Sequence, residues 1–172
     1  MSGRILIAYI SRKGSTAEIA RAVGKELEAA GYAVDVADMK TVTSLTGYDA
    51  VIIGAPLYMG RMVRDVGKFV GHHREQLVAL PVAAFAVGIA PVSKEAGSVE
   101  YGMKKLHSSL TPLKPVATTL FAGRLDPTQM SFISRKMMEM AKIPSGDFRD
   151  WNAIASWAQT LPGLLRVGSI TG

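Results

Sequence analysis

A chain of 172 residues with 48% apolar and 20% charged side chains can bury a sizeable core, which excludes a disordered polymer. Cysteine is absent, so disulfides, thiolate metal sites, iron–sulfur clusters and cysteine nucleophiles are excluded, and any redox chemistry must come from a bound cofactor. Lysine and arginine number 20 against 14 acids, and the net charge of +6 calls for an anionic partner: a membrane surface, a nucleic acid or a charged small molecule.

Residues 5–10 are apolar throughout and rich in β-branched isoleucine, as in a strand buried on both faces. The run is too short for a signal-peptide core, and Arg12 and Lys13 follow it where such a core is preceded by cations. Over 16–30, Ile19, Ala20, Val23 and Leu27 recur at helical spacing, and Gly31 stops the helix. Strands are expected at 33–37 and at 49–54, then a helix over 63–77 and a fourth strand at 82–87, closed by Gly88. The uncharged stretch 77–92 holds Pro81, Gly88 and Pro91, too broken for a membrane span of roughly 20 residues. The expectation is a soluble, cytoplasmic protein. A helix over 99–110, a strand at 116–121 and a last helix over 151–161 complete the alternation.

Five buried strands separated by helices predict an α/β fold, a doubly wound parallel sheet covered on both sides. No repeat or linker divides the chain, so residues 1–162 read as one domain and 163–172 as a C-terminal tail. Between the fifth strand and the last helix, residues 126–150 form an extra helical insert. It sets Met130, Ile133, Met137 and Met140 in register, with Arg135, Lys136, Glu139 and Lys142 outside that line.

In such a sheet, ligands bind beyond the carboxyl ends of the strands. Three turns lie there. Ser11-Arg12-Lys13-Gly14-Ser15-Thr16 joins the first strand to the first helix and offers hydroxyls, free amides and a glycine at the positive end of a helix dipole. In physical terms it is a phosphate cradle, and it is equally a capped helix entry. It matches neither the P-loop nor the three-glycine dinucleotide pattern. Pro56, Leu57, Tyr58, Met59 and Gly60 follow the third strand, and a stiff turn there can hold the tyrosine ring against a planar ligand or simply lie on the surface. Gly88, Ile89 and Ala90 leave the fourth strand with backbone groups and small side chains.

Together these turns suit a mononucleotide with a flat ring system, and here the chain resembles the flavodoxin-like family. Residues 11–16 are similar to its S-x-T-G-x-T phosphate loop, with Lys13 in place of the threonine, and residues 55–60 look like its second flavin loop. The resemblance runs from Arg4 to Leu161 and implies strand order 2-1-3-4-5 and FMN as cofactor. It also implies that Ser11, Ser15 and Thr16 hold phosphate with the amides of Lys13 and Gly14. Tyr58 would stack on the isoalloxazine, and 88–90 would border its other edge. The first loop, the turn at 122–125 and the basic Met-rich helix before 147–151 are similar to the menaquinone-dependent protoporphyrinogen dehydrogenases. That likeness implies an enzyme oxidising a porphyrinogen, with a quinone acceptor, at the inner membrane face.

On that reading Arg61, Arg64, Arg135 and Lys136 attract propionates or anionic headgroups. The methionine line either packs on the core or meets a quinone or acyl chains. The alternative is a flavodoxin-type electron carrier docking on a redox partner protein; such carriers are typically acidic, which +6 opposes. A nucleic-acid reading lacks a basic stripe interleaved with aromatics. Around the pair His72-His73 no third ligand falls at useful spacing, so no metal is expected, and these residues and His107 read as solvated helix residues.

Overall fold

A computed structural model describes residues 3–58, 61–92, 96–140, 142 and 145–167; for Tyr58, Arg61, Val92 and Gln129 it describes the backbone alone. The chain runs β1 (Arg4–Tyr9), α1 (Ser15–Ala29), β2 (Ala33–Asp38), β3 (Ala50–Tyr58), β4 (Arg61–Met62), α2 (Arg64–His72), α3 (Arg74–Ala79), β5 (Val82–Gly88) and α4 (Ser98–Leu110). It continues through β6 (Ala117–Ala122), β7 (Arg124–Leu125), α5 (Phe132–Met140), β8 (Gly146–Asp147) and α6 (Trp151–Leu165).

The five long strands form one parallel sheet in the order β2-β1-β3-β5-β6, the 2-1-3-4-5 arrangement when short β4 is set aside. Residues alternate across the pleat, and that alternation builds two cores. Ile5, Ile7, Ile52 and Phe85 face Ile19, Val23 and Leu27 of α1 and Ile154, Ala158 and Leu161 of α6. Leu6, Val51, Ile53 and Ala84 face Val66 and Phe69 of α2 and Leu106 and Leu110 of α4. Burial of each large aliphatic side chain contributes roughly 1.5–3 kcal/mol, so the sheet's continuous apolar runs are what hold it between helices.

Four segments differ from expectation. β3 does not stop at Gly54: Ala55 pairs with Ala86, Pro56 with Val87, and Leu57 then meets Met62 of the antiparallel β4. β1 pairs with β3 only as far as Gly54, so Pro56 lies where one side of β3 is an edge and a missing N–H is tolerated. The helix expected over 63–77 breaks at His73, which has φ −106° and ψ 19°. His73 is buried rather than solvated, its ring 4.8 Å from that of Phe69 and hydrogen-bonded to the backbone of Val42. Residues 163–167 are part of the fold: α6 continues to Leu165, Leu165 and Val167 are buried, and the Tyr32 hydroxyl donates to the Val167 carbonyl. Within the insert, β7 and β8 pair as an antiparallel ribbon that carries α5 between them.

α5 turns its apolar side outward. Met130 and Met138 are buried, while Phe132, Ile133, Met137 and Met140 are exposed, Met140 to 83%. At 100° per residue Phe132, Lys136, Met140, Ile133 and Met137 share one arc, with Ser134 and Met138 opposite. Core packing therefore accounts for Met130 but not for Ile133, Met137 and Met140 in that line.

Candidate functional site

The carboxyl ends of β1, β3 and β5 lie side by side, because Tyr9 is in register with Gly54 and Pro56 with Val87. One segment singled out in the sequence lies at each end. The first follows β1, whereas Pro56, Leu57 and Tyr58 are the last residues of β3 and Gly88 is the last of β5, rather than turn residues beyond them. After β1, the Ser11 hydroxyl accepts from the Gly14 N–H at 3.0 Å, folding residues 11–14 into a tight loop. Gly14 takes φ +88°, a left-handed conformation that costs a side-chain-bearing residue roughly 1–2 kcal/mol, and open space lies beside its Cα. It is the N-cap of α1 and supplies no side-chain oxygen, so no residue caps the helix from that position. The first amides of a helix have no partner within it, and here they open beneath a loop bearing exposed Arg12 and Lys13. Ser11 and Ser15 are half-buried, whereas Thr16 is 1% exposed. Helix amides, hydroxyls and two cations fit a phosphate dianion, and Glu18 in the first turn of α1 is the one negative charge among them.

At the end of β3, Pro56 and Leu57 are half-buried and Tyr58 pairs through its backbone with Arg61. The rings and guanidinium of Tyr58 and Arg61, and all of Met59 and Gly60, lie outside the described residues. At the end of β5, a Cβ on Gly88 would stand 3.2 Å from the Leu57 carbonyl oxygen, so glycine permits the two strand ends to approach there. Ile89 and Ala90 are half-buried beside it, and the Gly88 carbonyl accepts from the Gly123 N–H at 3.0 Å. Arg64 is exposed at the start of α2. Arg135 and Lys136 are apart from these turns in sequence, on exposed α5, with the Lys136 ammonium 5.1 Å from the centre of the Phe132 ring.

The structure adds charged groups that sequence spacing did not single out. Arg149 leaves β8 and folds back on it: its Nε and Nη2 donate to Asp147 at 2.8 and 2.7 Å, its Nη1 pairs with Glu18 in α1, and its guanidinium lies 4.8 Å from the centre of the Trp151 ring. Arg149 holds the Asp147 carboxyl down at about 2, and Asp147 in turn raises the Arg149 guanidinium above its ordinary value. Asp126 also lies below the usual carboxylate range, chiefly through the Thr128 hydroxyl and amide, with smaller help from Arg124 and Lys13. The Arg149–Glu18 pair joins the exit of the ribbon to α1. A cleft of about 310 Å³ opens along the ribbon, with Arg124, Asp126, Ser145 and Asp147 in its lining. An acid and an arginine two apart in an extended segment, as at 147 and 149, share one side and were the signal available in the sequence. Among the described residues no three His, Cys, Asp or Glu gather as a metal site.

Comparison with known proteins bears on this arrangement. The family model described as "Flavodoxin domain" matches residues 6–151. Protoporphyrinogen IX dehydrogenase [quinone] of Escherichia coli strain K12 is 26% identical, over 94% of this chain and 96% of its own length. The Leishmania major protein of the same name is 25% identical, over 95% of this chain and 76% of its own. Among solved structures, oxidised flavodoxin 1 from Bacillus cereus superposes with a TM-score of 0.58 at 15% identity, covering 91% of this chain and 95% of that one.

Proposed function

The chain belongs to the flavodoxin domain family, and from that premise we propose that it is an FMN-dependent oxidoreductase that oxidises a porphyrinogen-like substrate and delivers the electrons to a quinone. The observation that carries this reading is the uncapped, cationic N-terminus of α1, set at the same sheet edge as the ends of β3 and β5. The near full-length similarity to protoporphyrinogen dehydrogenases supports the substrate and acceptor.

Bound FMN would supply hydride acceptance at the flavin N5. The phosphate falls to the hydroxyls of Ser11, Ser15 and Thr16, the amide of Lys13 and the charges of Arg12 and Lys13, with the Gly14 amide exchanging its Ser11 partner for the phosphate. In this reading the ring site is assigned to Pro56 and Leu57, and to Tyr58, Met59 and Gly60 from the family resemblance alone, with Tyr58 as the stacking residue and Gly88, Ile89 and Ala90 at the other edge. A single flanking aromatic leaves one ring face open to a substrate. Arg61 and Arg64 are assigned to substrate carboxylates in this reading, and their charge draws anions toward the site.

The outward apolar arc of α5 gives the insert its role in this reading. Nine residues span about 13 Å, and no described helix is long and apolar enough to cross a membrane. A short helix with Phe132, Ile133, Met137 and Met140 outward and Arg135 and Lys136 beside them suits the surface of an anionic bilayer, where a lipid-soluble quinone resides. The test is turnover: purified protein loaded with FMN should oxidise protoporphyrinogen IX with a menaquinone analogue as acceptor. Inactivity alongside rapid one-electron exchange with a flavodoxin reductase would assign the chain to electron carriage instead.

A further inference from the structure

Helix α1 carries an acid at the end where the phosphate is expected. Glu18 lies in its first turn and its amide donates to the Gly14 carbonyl at 3.1 Å, one turn from the loop. A carboxylate there complements an empty helix N-terminus but repels a second anion arriving at the same place. Arg149 pairs with that carboxylate, and its own position is set elsewhere. Its side chain is 7% exposed against 48% for Glu18, Asp147 holds it by two hydrogen bonds, and Trp151 lies under its guanidinium. Asp126, on the neighbouring ribbon strand's exit, faces Lys13 and Arg124 rather than this pair.

We propose that Arg149 is a positioning residue for the FMN phosphate, held at the exit of the ribbon so that its guanidinium neutralises Glu18 and leaves the N-terminus of α1 receptive to a dianion. The inference rests on the cofactor reading above and adds a function for the insert at that same site: its second strand presents a fixed counter-charge to the phosphate helix. Glu18, Asp147 and Arg149 together carry one negative charge. Glu18→Gln removes it, Arg149→Gln makes it two, and the double variant restores the wild-type value.

Titrating apo-protein with FMN and separately with riboflavin, at low salt and by flavin fluorescence quenching, reads this series directly. Expected for FMN is an order that follows charge: Glu18→Gln tightest, wild type and double variant alike, and Arg149→Gln weaker than wild type by on the order of tenfold. Riboflavin, which lacks the phosphate, should bind all four forms equally, and added salt should compress the FMN differences. A double variant as weak as Arg149→Gln, or the same loss toward riboflavin, would show Arg149 acting only as a strut for the ribbon and overturn the proposal. Should thermal unfolding show Arg149→Gln misfolded, the exposed Glu18→Gln still decides, because no gain in FMN affinity there contradicts the proposal. Wild-type protein that binds neither flavin removes the cofactor reading itself, whereas FMN binding with a flat variant series removes the Arg149 inference alone.

Discussion

Gly54 shows how single positions set the geometry of the sheet. A Cβ there would come within 2.2 Å of the Phe85 ring, which is fully buried and stands 5.8 Å from Phe121 and 5.9 Å from Trp157. Gly54→Ala should therefore destabilise the protein by about 1–3 kcal/mol, measured by urea unfolding, because three packed aromatics must shift together. Asp147 makes an acid prediction. Its folded-state value of about 2 lies below the roughly 3.9 of an unfolded aspartate, so its contribution is present above pH 4 and lost as pH falls toward 2. Asp147→Asn should flatten the acid limb of a stability-versus-pH curve over that window. At this scale the tight loop from Ser11 to the start of α1 was legible, since hydroxyls and a glycine between a strand and a helix mark a turn and a helix entry. The pairing of Arg149 with Glu18 was not, because it joins residues 131 apart in sequence and depends on how the ribbon turns back.

Among the elements, the periodic helices and the β-branched strands declared themselves, since burial alone dictates their patterns. Breaks and reversals did not. The α2–α3 break at His73 lies within a run of helical periodicity, and only tertiary packing against Phe69 and Val42 puts the imidazole inside. Burial lowers the His73 value, with the charge of neighbouring His72 acting in the same direction. The neutral ring is thus the form that folds, and stability is full above the unfolded value of about 6.5 and falls as pH drops through and below it. Chemical unfolding at pH 7.5 and 5.5 should show that loss, and His73→Gln should show less of it. In α5 the methionine periodicity was legible, but its outward direction was not, because a line of apolar residues looks the same whether it meets a core or a surface. If the outward arc meets lipid, Arg135→Glu with Lys136→Glu should sharply reduce binding to anionic vesicles in a co-sedimentation assay. Unchanged binding would take the membrane role from α5.

For the whole molecule, the parallel sheet follows from the alternation of apolar runs with amphipathic helices, whereas its strand order 2-1-3-4-5 was implied only by the resemblance to the flavodoxin-like family. Net charge acts at the same scale. The +6 excess sets the chain apart from acidic electron carriers and fits the anions proposed for it: a flavin phosphate, carboxylated substrates and a lipid surface. The central claim is that the edge formed by β1, β3 and β5 holds FMN. The measurement that meets it most directly is titration of the purified apo-protein with FMN, followed by flavin fluorescence and the visible spectrum. The account predicts saturable quenching and a yellow complex that survives gel filtration. Fluorescence that stays at its free value through an excess of FMN, with colourless protein eluting, would contradict it.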